Sequence, residues 1–230
     1  MPVAGGVLAL VLHLPAITPA ACVVACHGLA ASKDSDKYLL LGAELPPAGL
    51  ALARFDFRGC GASSGVEEDT TVASRIEDVQ MVLAHLAAHP RLDGRFGLLG
   101  SSLGGFVALW VAATRPRLPV VTWNAPAHLT ELASDERAGS PGLGIPFAQE
   151  FSTGRYALAP RGVSHHLIVH GGADEVVPPE HGVILHEQAR PPSELRVIPG
   201  GNHRLTDPGH RREAVSRSLE WFLSSLEVDR

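Results

Sequence analysis

Three kinds of residue pattern are scarce in this chain, and each shortage excludes a class of protein. Only three of the 230 residues are cysteine, and an odd, small number excludes a disulfide scaffold. Cys22 and Cys26 fall on one predicted strand, four apart and on one face, where side-by-side thiols rarely bridge. Cys60 stands alone, so the paired spacing of a zinc site is missing too, and buried thiols acting as small hydrophobes are expected. There is no excess of positive charge: 19 Lys and Arg against 24 Asp and Glu leave a net charge of −5, which gives no broad basic face for nucleic acid. Long apolar runs are missing as well. A membrane-spanning helix needs about 20 apolar residues, and the run from Val7 to Leu12 is followed closely by His13, Pro15 and Pro19. No Lys or Arg precedes Lys33, so the basic start of a secretory signal is missing, and a cytoplasmic location is expected.

What is present is an alternation of short apolar runs and longer amphipathic ones. The pattern predicts strands over 7–14, 22–26, 50–57, 95–99, 119–123, 166–170 and 194–198. It predicts helices over 37–45, 70–89, 103–114, 179–189 and 209–226. Alternating strands and helices imply a mostly parallel sheet covered on both faces. Residues 125–160 break the rhythm with Gly, Pro and acidic residues. Connections this long in compact domains are usually lids or binding loops, so a small cap inserted into a single domain spanning 1–230 is expected.

The pattern Gly-x-Ser-x-Gly occurs at Ser63 and at Ser102. A serine nucleophile at such a turn needs a strand before it and a helix after it. Ser102 has both, whereas Ser63 runs on into Val-Glu-Glu-Asp-Thr-Thr and reads as a turn serine. A serine hydroxyl needs a base, and the base needs an orienting acid. Asp174 follows the strand at 166–170, with Glu175 beside it as a rival acid, and His203 follows the strand at 194–198. Loops at that edge of an open parallel sheet are where sites form. Among the other histidines, His128, His181, His186 and His210 read as surface residues, and His165, His166 and His170 as packed on or beside a strand. The oxyanion of an acyl-transfer intermediate needs N–H donors. Leu103, after the nucleophile, and the turn His27-Gly28-Leu29 are placed to give them.

In order along the chain, Cys26-His27-Gly28-Leu29, the run from Arg54 to Ser63, Gly100–Gly105, His170-Gly-Gly-Ala-Asp174 with Val177-Pro178, and Gly201-Asn-His203 resemble the α/β-hydrolase superfamily over nearly the whole chain. Within it, the chain is similar to small bacterial carboxylesterases of the cinnamoyl and feruloyl type, and to acyl-protein and acyl-glucuronide esterases. The resemblance implies an α/β-hydrolase fold with seven or eight strands, because the segment before His27 is short for the usual first edge strand. It implies Ser102 as nucleophile, His203 as base, Asp174 as orienting acid, and Leu29 and Leu103 as oxyanion donors, with no metal or organic cofactor. The expected activity is hydrolysis of small or aryl acyl esters. A thioesterase and an acyl- or aminopeptidase would use the same residues, and a binding protein on the same fold is a further alternative. Phe147 and Phe151 are candidate substrate contacts, and of the apolar residues Leu143, Ile145, Phe147 and Phe151 some are expected to face the site or to pack on the core. Glu131, Asp135, Glu136 and Glu150 are the carboxylates an aminopeptidase would need for a substrate ammonium.

Overall fold

The structure, a computed structural model, describes residues 1–3, 5–130 and 143–228. In chain order the elements are β1 (Pro2–Val3), β2 (Gly6–Val7), β3 (Leu10–His13), β4 (Ala20–Cys26), α1 (Asp36–Glu44), β5 (Ala51–Phe55), α2 (Val72–Ala87), β6 (Leu92–Ser101), α3 (Leu103–Ala113), β7 (Val120–Trp123), α4 (Ile145–Ser152), β8 (His166–Gly171), α5 (Glu180–Gln188), β9 (Ser193–Ile198) and α6 (Pro208–Ser225). Seven strands form one sheet in the order β3-β5-β4-β6-β7-β8-β9. Only β3 runs antiparallel, against β5. This is the α/β-hydrolase architecture, with helices on both faces.

Burial on both faces explains why the strands read as unbroken apolar runs. Every residue of β4, β5, β7 and β8 is buried. Alternate residues of β4 serve different cores: Cys22, Val24 and Cys26 join the side chains of α2 and α3, and Ala21, Val23 and Ala25 join those of α1 and α6. The three thiols are free and buried. No helix among the described residues is long and apolar enough to cross a membrane.

Two boundaries depart from the sequence pattern. The strand expected over 7–14 is split, with Val7 paired to Pro2 in a small hairpin and Leu10–His13 in the main sheet. β6 starts at Leu92, before the 95–99 run, because Leu92 pairs with Ala20 ahead of a register shift in β4. The exposed Asp93, Gly94 and Arg95 between them carry no apolar signal.

Within 125–160 the structure describes a helix that the pattern did not predict, α4. Its Glu150 does not wait for a substrate ammonium. It accepts the N–H groups of Val72 (2.6 Å) and Ala73 (2.9 Å) at the start of α2, where a carboxylate complements the helix dipole. Glu131, Asp135 and Glu136 lie outside the described residues.

Two buried histidines make the fold acid-sensitive. Burial lowers the His27 pKa to about 4 and that of His166 to about 3, against an ordinary value near 6.5. Between those values the unfolded chain binds protons that the folded chain refuses. Stability is therefore complete above pH 6.5 and falls as pH drops toward 4. The unfolding free energy from urea titrations is expected to decrease steadily from pH 7 to pH 4.5, by roughly 3 kcal/mol at most for His27 alone. His166→Gln should flatten the slope, and a slope unchanged by it would refute this source of acid sensitivity.

Candidate active site

β6 delivers Ser102 to the edge of the sheet in a strained conformation. Its φ of 53° and ψ of −127° lie where non-glycine residues seldom go, at a cost of about 1–3 kcal/mol. The surroundings hold it there: its N–H donates to the Trp123 carbonyl of β7 at 2.9 Å, and α3 begins at the next residue. Gly104 lets α3 approach this closely, because a Cβ on it would sit 2.3 Å from the carbonyl oxygens of Cys26 and His27. The Leu103 N–H belongs to the first turn of α3, whose N–H groups have no partner within the helix.

His203 Nε2 lies 3.1 Å from Ser102 Oγ. Its Nδ1 lies 2.9 and 3.0 Å from the two oxygens of Asp174. A carboxylate only accepts, so Nδ1 carries the hydrogen, and in the tautomer that this bond selects, the Nε2 lone pair points toward the serine hydroxyl. Burial pushes the Asp174 carboxyl up, but the His203 ring and the N–H groups of Val177 and Val176 outweigh it, and its pKa settles below the usual carboxylate range. Glu175 is exposed, and the imidazole bonds to Asp174.

Two buried residues brace this arrangement, and neither was singled out in the sequence for that role. Asn124 donates from Nδ2 to the carbonyls of Asn202 (3.1 Å) and His203 (2.7 Å), and its Oδ1 accepts the Gly171 N–H at 2.8 Å. It thus ties the His203 loop to the end of β8. His170 Nε2 donates to the Val177 carbonyl at 2.9 Å and lies 3.6 Å from Asp174 Oδ2. Burial lowers its pKa, so it stays neutral at pH 7.

His27 performs the same service across the site. Its Nδ1 donates to the Gly28 carbonyl at 2.8 Å and its Nε2 accepts the Phe57 N–H at 3.1 Å. The turn carrying Leu29 is thereby pinned beside Ser102. A Cβ on Gly28 would stand 3.1 Å from that of the serine. Ser63, by contrast, donates to the Asp56 carbonyl at 2.6 Å and accepts the Ala9 N–H at 2.9 Å, as a turn serine should.

A cavity of about 540 Å³ opens over Ser102 and His203. Leu29, Pro126 and Val177 supply apolar wall, and Lys37, Arg204 and Arg211 supply charge. His128 and His181 also line it, which corrects their reading as surface residues. His181 is buried, its Nδ1 accepts the Ala127 N–H at 2.9 Å, and the two rings stand 4.3 Å apart. Their position depends on where α5 and the 125–130 segment meet, which no local pattern announces. Among the described residues, no group of three or more His, Cys, Asp or Glu could hold a metal ion.

The sequence profile of the serine aminopeptidase S33 family matches residues 17–138. The YfhR protein of Escherichia coli is 26% identical over 190 residues, 82% of this chain and 65% of its own length, so the chain spans just under two thirds of that relative. The mitochondrial palmitoyl-protein thioesterase ABHD10 of Homo sapiens is 40% identical over 68 residues, 30% of this chain and 21% of its own. Est1E of Butyrivibrio proteoclasticus, solved with ferulic acid bound, superposes with a TM-score of 0.84 at 22% identity and 97% of both chains.

Phe147 and Phe151, proposed from sequence as substrate contacts, are not in the wall of this cavity. Phe147 is 4% exposed and belongs to the core cluster that also holds side chains of α2 and α3, and Phe151 packs partly buried against the same cluster. Ile145, at 74% exposed, faces solvent. The amphipathic face of α4 serves the core, which an apolar pattern alone cannot distinguish from a substrate wall. Phe147→Ala is expected to lower stability by about 3–5 kcal/mol and to leave the ranking of ester chain lengths unaltered. Urea unfolding and rates on acetate, butyrate and octanoate esters check both parts.

Proposed function

The chain belongs to the serine aminopeptidase S33 family of α/β-hydrolases, and on that premise we propose that it is a serine carboxylesterase acting on small or aryl acyl esters through an acyl-enzyme. The observation that carries the reading is the continuous hydrogen-bonded run from Ser102 Oγ through His203 to Asp174, with the serine in the strained backbone of a nucleophile turn. In this reading His203 Nε2 takes the hydroxyl proton as Ser102 attacks the ester carbonyl. Asp174 holds the ring in the required tautomer and stabilises the imidazolium. The N–H groups of Leu29 and Leu103 receive the oxyanion. The collapsing intermediate expels the alcohol, which leaves with the proton from His203. Water, deprotonated by the same nitrogen, then releases the acid and restores the serine.

Residues 125–160 are read as a small cap within the single domain, a reading supported by the His128–Leu158 bridge and by Glu150 on α2. A thioesterase is the second reading, favoured by the 68-residue likeness to ABHD10. It uses the same residues with a thiolate as leaving group. The feruloyl-type ester remains the first substrate to test, given the likeness to Est1E.

Ser102→Ala is expected to lower kcat on p-nitrophenyl acetate by a factor of roughly 10⁴ to 10⁶. Ser63→Ala should keep most activity while losing some stability, since it breaks two hydrogen bonds. An active Ser102→Ala enzyme would refute the assignment.

Asp174→Asn should reduce kcat by roughly 10²- to 10⁴-fold, and Glu175→Gln should act mildly. Steady-state rates at pH 7.5 on matched ester and thioester substrates decide both points and rank the two readings.

A further inference from the structure

Lys37 is one of only two lysines in the chain, and it sits in the wall of the cavity over Ser102. Its surroundings are unusual for a cation. Nζ donates to Ser101 Oγ at 2.6 Å, the residue before the nucleophile, and stands 5.6 Å from the Tyr38 ring centroid. The other lysine, Lys33, is held by Asp34 and Asp56. Among the described residues, neither Lys37 nor its cavity neighbour Arg204 makes an ion pair with a carboxylate. Arg211 is paired with Asp36, 3.4 Å away. The described lining of the cavity therefore carries three cations and one carboxylate, in a chain whose net charge is −5.

A desolvated ammonium crowded by like charge is unfavourable unless an anion compensates it. We propose that the substrate carries an anionic group, a carboxylate or a phosphate, and that Lys37 and Arg204 receive it beside Ser102. The inference deepens the esterase reading and rests on it for the position of the scissile bond. The anion can belong to the acyl part or to the leaving alcohol.

The electrostatics of Lys37 agree with this. Among the described residues, the groups that act on it are Ser101 from β6, Asp174 from the loop after β8, Arg204 from the loop after β9, Arg211 from α6 and Tyr38 on its own helix, and Asp36 and His203 line the same cavity. Burial first, then Arg204 and Arg211, lower its pKa to about 8, against a smaller opposing pull from Asp174. Lys37 is thus mostly protonated at pH 7 and loses its charge as pH rises through 8. A bound anion would raise its pKa. Preference for anionic esters should therefore decline between pH 7 and 9.

Two measurements test the proposal. Protein labelled with ¹³C at lysine Cε gives one signal for each of the two lysines, and Lys37→Gln identifies which is which. In the Ser102→Ala protein, glutarate or inorganic phosphate should raise the pH midpoint of the Lys37 signal and leave that of Lys33 in place. No shift with either anion would overturn the proposal whether or not the enzyme hydrolyses esters. The second measurement compares kcat/KM for p-nitrophenyl butyrate with mono-p-nitrophenyl glutarate, and for phenyl acetate with 4-acetoxybenzoate, so that the charge sits on the acyl part in one pair and on the leaving group in the other. The charged member of one pair should be favoured by roughly ten- to a hundredfold, with the ratio collapsing in Lys37→Gln and at 1 M salt. Equal ratios in wild type and Lys37→Gln would refute the substrate class and leave the esterase reading intact. An anion-induced shift without turnover of any ester would refute the esterase reading and leave the anion site intact.

Discussion

Strand β6 ends where backbone meets backbone. Gly104, at the second position of α3, leaves no room for even a Cβ against the carbonyls of Cys26 and His27. That contact fixes how far α3 stands from the end of β4, and so fixes the turn that forces Ser102 into the left-handed region. The strain is held in place by the sheet, since the Ser102 N–H is committed to Trp123. Strain of this kind persists only where the neighbours over-determine it, and here β4, β7 and α3 all do so.

The other two members of the chain of hydrogen bonds come from loops, which need a different restraint. Asn124 supplies it by bonding to both the His203 loop and the end of β8. It reaches across from β7, the strand that also holds the Ser102 N–H, so one strand end sets the positions of all three side chains. Neutral imidazoles support the arrangement without adding charge: His27 lies under the Leu29 turn and His170 under Asp174. Positive charge lines the cavity wall, at Lys37, Arg204 and Arg211.

The features legible in the sequence were those with short-range causes. Strands buried on both faces appear as apolar runs, and the strand–turn–helix setting separates Ser102 from Ser63 within a few residues. Asp174 and His203 could be picked out because each follows a strand at the same sheet edge. What escaped was fixed by distant partners. Glu150 reads as a solvated acid until Val72, 78 residues away, is brought to it. Phe147 has the same apolar character whether it faces a substrate or a core. His181 begins a helix with no sign that Ala127 will donate to it, and Lys37 gives no sign that Ser101, 64 residues on, will be its partner.

The three thiols carry a consequence of their own. Cys22 and Cys26 lie on β4, near the middle of the sheet, and burial pushes the Cys22 and Cys60 thiols up to about 12 and Cys26 higher still. The thiolate is the reactive form, so at neutral pH the native molecule offers alkylating reagents almost nothing to attack. Modification of Cys22 and Cys26 must wait until the central strand is exposed, which happens only in large-scale opening of the molecule. Their labelling rate is therefore an internal record of how often the sheet comes apart, readable by mass without any added probe group.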